Sequence, residues 1–221
     1  MIKNRTVQLM FQTAFCTLGI LGIVASFGTF NYEFRSDFYV HFTNLSNYLC
    51  IFIMFVELIE TIKKNRNDYT SKLPLLKFIG LLAIMLTFII FNFILADDRE
   101  MYLNFMINSV LFHIVLPVMY LLDWILFYEH KKIRWYYPLI SVSFPVLYAI
   151  FIFIRAWILD FNPEAPYIYP YFFLDLNELG VFGVLKWIGI LSLVFIVVGY
   201  LIFGLDKIRI KRKNKIKKGN K

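Results

Sequence analysis

LLKFIGLLAIMLTFIIFNFILA, residues 75–96, decides the fold class. The run carries one charge, Lys77, near its start. A hydrocarbon layer of about 30 Å needs roughly 20 apolar residues in a helix rising 1.5 Å per residue, so this stretch is long enough to cross it. Five further apolar runs have similar length, at residues 7–30, 38–62, 103–128, 137–159 and 179–205. With 60% hydrophobic and 19% aromatic residues and a mean hydropathy of +0.66, the chain exceeds what a soluble core of 221 residues can hide. The expected fold is therefore all-α, an integral membrane bundle of six transmembrane helices over residues 1–206, followed by a basic tail at 207–221. The first run follows Lys3 and Arg5 as a signal peptide would, but it is longer than a usual signal core and reads as a retained helix.

Lys and Arg resist translocation, so their distribution among loops sets orientation. One side holds 19 of them: Lys3 and Arg5, five from Lys63 to Lys77, three from Lys131 to Arg134, and nine from Lys207 to Lys221. The other side holds Arg35 and Arg99. Both termini are thus expected in the cytoplasm of a multi-pass protein of the cell membrane. The net charge of +8 does not imply a nucleic-acid partner, because the basic residues sit in loops and tail rather than on a folded surface that tracks phosphates. The tail KIRIKRKNKIKKGNK suits anionic lipid. Cys16 and Cys50 lie inside runs without metal-ligand or redox spacing, so no disulfide, metal or other cofactor is expected. A metal held by His113, Glu57 and Asp123 lacks any supporting motif. Nothing in the sequence sets an oligomeric state.

Polar side chains inside such runs are costly and face protein rather than lipid. In the second run Thr43, Ser46, Asn47, Cys50 and Glu57 share a stripe at helical spacing; in the fourth, Ser109, His113, Leu116, Tyr120 and Asp123 form another. Thr43 and His113 differ in expected depth by roughly 7 Å, and Arg155 approaches the same outer half while Asp175 lies in the outer loop. A hydroxyl, an imidazole and nearby donors are the parts of acyl transfer: Thr43 as nucleophile, His113 as base, with Asn44, Ser46, Asn47, Ser109, Arg155 and Asp175 as weaker candidates for substrate or oxyanion contacts. The same residues also suit interhelical hydrogen bonds or a transport cavity without covalent chemistry. Glu57 and Asp123 read as helix-linking groups, Arg155 as a partner of Asp160 or Asp175, and Pro117 and Pro145 as kinks.

The strings HFTNLSNYL at 41–49, LFHIVLPVMYLLDWILF at 111–127, WYYPL at 135–139 and YPYFFLD at 169–175 resemble the bacterial six-transmembrane family called Pr-six-Pr, in order and spacing across nearly the whole chain. That family is similar to the animal androgen-induced-gene proteins, membrane hydrolases of fatty-acid esters of hydroxy fatty acids that use an intramembrane threonine and histidine. The resemblance implies Thr43, in FTNLSN, as nucleophile and His113, in FHIVLP, as general base, with membrane lipid esters as substrate. A lipid acyltransferase shares the acyl-enzyme, and a transporter or lipid-binding protein shares the polar stripe. The natural substrate is not implied.

Overall fold

The computed structural model describes residues 4–29, 34, 36–63, 71–94, 107–128, 133–159 and 168–219. Among them there is helix and no strand. Five helices are long and apolar enough to cross a membrane: Arg5–Ser26, Phe42–Lys63, Pro74–Phe93, Tyr137–Leu159 and Leu176–Ile208. Leu111–Leu126 is a shorter apolar helix, and residues 103–106 of the expected fourth run lie outside the described residues. The chain forms two compact units, Met1–Ile133 and Arg134–Lys221.

In the first unit, α1 (Arg5–Ser26) starts on the Asn4 side chain, which accepts the Thr6 and Val7 N–H groups at 3.0 and 3.3 Å. α2 (Phe42–Lys63) runs back beside it. Ser26 and Tyr48 join their hydroxyls at 2.9 Å at one end, and at the other Arg5 donates to the Thr61 and Ile62 carbonyls, 3.1 Å each, covering acceptors that the last turn of α2 leaves open. α3 (Pro74–Ile89) begins on a proline, whose missing N–H costs nothing in a first turn, and continues into a π-helical turn, Ile90–Ile94. α4 (Ile107–Val110) passes through a second π turn, Leu111–Val115, into α5 (Leu116–Leu126).

These helices alternate in direction, and small residues let them close up. A Cβ added to Gly22 would sit 2.4 Å from the Phe112 ring, and one on Gly80 would sit 3.1 Å from both Cys50 Sγ and the Tyr120 hydroxyl. Between the ends lies an apolar and aromatic layer, with Phe15 against Tyr120 at 5.9 Å and Phe78 against Trp124 at 5.9 Å. Polar side chains gather inside, among them Gln12, Ser46, Asn47, Lys77, Thr87 and Asp123, while Met10, Phe52 and Phe93 point outward. Large apolar side chains on the outside, with polar ones among the buried residues, fit a hydrocarbon solvent.

Lys77, counted above with the loop charges, is instead 2% exposed and ion-paired with both Glu57 of α2 and Asp123 of α5. Its place four residues into α3 turns it inward, since a stem of four methylenes reaches the axis of the bundle. Removing it leaves the charge imbalance between the two sides intact.

In the second unit, α6 (Tyr137–Ser141) and α7 (Ser143–Leu159) divide the expected fifth run at Val142, between Pro138 and Pro145. The segment around the short 3₁₀ turn Phe172–Leu174 is aromatic: Tyr171 stacks on Phe173 at 5.0 Å, and Phe172 meets Trp187 edge-on at 5.5 Å. α8 (Leu176–Gly219) is broken near its start by Gly180 at φ 62°, a conformation open to glycine, and its backbone carries on through the expected tail to Gly219.

Candidate functional site

Thr43 lies in the first turn of α2, where backbone N–H groups lack partners inside the helix. Its carbonyl accepts two side chains from the next turn, Ser46 Oγ and Asn47 Nδ2, both at 2.9 Å. Asn47 is fully buried, and its amide nitrogen also donates to the Phe112 carbonyl at 3.0 Å. One NH₂ group therefore clasps the turn that carries Thr43 to the residue before His113, and the two carbonyl oxygens lie within about 6 Å of each other.

The reason Phe112 offers a carbonyl is local. Leu116 N–H reaches back five residues to Leu111, and Pro117 has no N–H, so the α-helical partners of the Phe112 and His113 carbonyls are both missing. Two asparagines replace them. Asn47 takes Phe112, and Asn92, from the π turn after α3, donates to the His113 carbonyl at 3.2 Å as well as to Phe88 at 2.8 Å. Buried carbonyls left without donors would cost about 1–3 kcal/mol each.

The His113 ring stacks on Phe91 at 3.8 Å and 17°. Its Nδ1 lies 2.9 Å from the Ser109 carbonyl, one turn back, and 3.3 Å from the Ser109 hydroxyl. A carbonyl only accepts, so Nδ1 carries the proton and Nε2 keeps its lone pair, the tautomer a general base needs. No hydrogen bond joins the Thr43 and His113 side chains directly among the described residues.

The weaker candidates divide. Ser109 orients the imidazole. Both N–H groups of Asn47 are engaged with carbonyls, so it holds the two segments together and has no donor left for an oxyanion. Ser46 is engaged with the Thr43 carbonyl and, at 3.1 Å, with Thr87. Asn44 donates to the Phe38 carbonyl at 2.8 Å, tying the preceding turn to α2, and retains a second N–H. Arg155 and Asp175 belong to the second unit, where each has local work: Arg155 Nη1 donates to the Ile168 carbonyl at 2.8 Å, and Asp175 caps the last helix by accepting Asn177 and Glu178 N–H at 2.8 and 3.2 Å.

Asn92, Thr87 and Phe91 escaped the sequence reading. The signal for Asn92 was available, a lone amide in the apolar run FIIFNFIL. Among the described residues no group of three His, Cys, Asp or Glu is disposed to hold a metal ion. Comparison with protein-family models, with curated proteins and with solved structures finds no match to this chain.

Proposed function

We propose that the protein is an integral membrane hydrolase of lipid (fatty-acyl) esters, acting through an acyl-enzyme on Thr43 with His113 as base. The observation that carries this reading is the Asn47 clasp: an amide holds the first turn of α2 beside a π turn whose imidazole has a committed Nδ1 and an available Nε2. π turns and first-turn helix positions recur at working sites, because each leaves backbone groups without helical partners. The resemblance to Pr-six-Pr and the androgen-induced-gene hydrolases supports the same two residues.

In this reading His113 Nε2 removes the Thr43 hydroxyl proton as Oγ1 attacks the ester carbonyl. First-turn N–H groups of α2, with the remaining Asn44 N–H, receive the oxyanion. The imidazolium returns its proton to the departing alcohol, leaving acyl-Thr43. Water then attacks with His113 again as base, and the fatty acid leaves with the hydroxyl restored. An alcohol in place of that water makes the protein an acyltransferase.

The same proposal includes six spans, Leu111–Leu126 belonging to the fourth, both termini cytoplasmic, location in the cell membrane, and anionic lipid at the basic end. Support comes from the apolar lengths, the inward polar groups and the charge asymmetry. A lipophilic fluorophosphonate tests the chemistry. It should modify Thr43 and block ester turnover. Absence of both an adduct at Thr43 and activity on lipid esters would favour a binding or transport protein instead.

A further inference from the structure

A second polar centre lies about ten residues along both stripes from the first, roughly 15 Å away at helical rise: Glu57 from Asn47 on α2, Asp123 from His113 on the fourth run. Lys77 Nζ is hydrogen-bonded to Glu57 Oε2 and Asp123 Oδ2, and the three residues are 2%, 8% and 0% exposed for Lys77, Glu57 and Asp123. The remaining oxygens, Glu57 Oε1 and Asp123 Oδ1, are buried and have no partner among the described residues. Neither has the Gln12 amide, 1% exposed on α1. Gln12 falls at the same level, because Phe11 packs on Phe127 at 5.4 Å and Phe15 on Tyr120 at 5.9 Å, bracketing Asp123 from across the bundle.

The charges do not balance. One ammonium faces two carboxylates in an apolar surround, where a surplus negative charge is costly and two carboxylates at one site resist joint ionisation. Among the described residues the other groups around them bring no cation. α2 adds Cys50; α5 adds Tyr120, whose ring centroid is 6.0 Å from Nζ, and the chain just beyond it adds Tyr128 at 5.5 Å. α1 adds Gln12, its Arg5 being turned to the carbonyls of Thr61 and Ile62. Lys72, at the entry to α3, is paired with Glu60 at 2.9 Å.

We propose that Glu57 and Asp123 hold one proton between them against Lys77, forming a proton-binding site separate from the Thr43 and His113 centre. With Nζ already between the carboxylates, the ion that restores neutrality is the smallest one. The uncommitted oxygens Oε1 and Oδ1 are the atoms on which that proton resides, and the Gln12 amide offers both a donor and an acceptor to whichever oxygen is bare. Loading and release of this proton switch the meeting point of three helices between neutral and net negative, the property that buried acids lend to proton relays in membranes. Ester hydrolysis at Thr43 is not a premise of this proposal.

Infrared difference spectroscopy on the whole protein in lipid vesicles tests it, with carboxyl-¹³C aspartate or glutamate introduced in separate preparations. At neutral pH the wild type should show a protonated-carboxyl C=O stretch that moves on ¹³C labelling of one or both residue types and shifts in D₂O. Asp123→Asn or Glu57→Gln should abolish that band. Where a variant does not fold, the labelled wild type still tests the proposal, because absence of the band overturns it. Absence of any isotope-shifted protonated band at neutral pH, or a band untouched in folded Asp123→Asn and Glu57→Gln proteins, overturns the proposal and makes the cluster an ionised helix lock.

Discussion

In the proposed mechanism Thr43 and His113 divide the chemistry between a weak nucleophile and the base that activates it, so neither works alone. Thr43→Ala and His113→Ala should each abolish hydrolysis of a long-chain ester in detergent or vesicles, with thermal unfolding little changed. Thr43→Ser should retain part of the rate, since the hydroxyl remains while the methyl that restricts its rotamer is lost. Asn47 differs in kind. Asn47→Ala removes donors from two carbonyls, one of them beside the imidazole, and should lower stability by about 1–3 kcal/mol as well as slowing turnover. A rate loss without any loss of stability would contradict the clasp. Lys77→Met leaves two buried acids without their ammonium, and thermal unfolding should register a loss of about 3–5 kcal/mol.

At the scale of the element, the π turn at Leu111–Val115 aims His113, and Pro117 keeps the turn from closing into regular helix. Pro117→Ala restores an N–H four residues beyond His113, which competes with Asn92 for the His113 carbonyl. Ester turnover should fall at least tenfold while the protein stays folded; unchanged turnover would detach the proline from the site. Gly22 controls the same turn from α1. A methyl there must displace the Phe112 ring, so Gly22→Ala should cost about 1–3 kcal/mol by thermal unfolding and weaken turnover through the neighbouring imidazole.

For the whole molecule the prediction is sidedness. In a Cys16→Ala, Cys50→Ala background, an impermeant thiol reagent added to intact cells should label Ser36→Cys and Asn177→Cys and spare Lys72→Cys and Lys207→Cys. Labelling of either lysine replacement from outside would overturn the proposed six-span topology.

The all-helical class, the long apolar helices and the uneven distribution of Lys and Arg among the segments between them follow from the sequence by itself, because hydrocarbon solvent forces each span to satisfy its own backbone with apolar side chains outside. The stripe through Thr43, Ser46 and Asn47 was legible for the same reason: helical periodicity alone puts those residues on one face. What they bond to was not. That Asn47 clasps Phe112, that Asn92 completes His113, and that Lys77 turns from a loop charge into the centre of an acid pair depend on neighbours 65, 21, 20 and 46 residues away in the chain. Spacing along one helix carries no information about the facing helix. Only tertiary packing decides which buried donors meet which open acceptors, because each group, once out of water, must take the partner that a neighbouring helix presents.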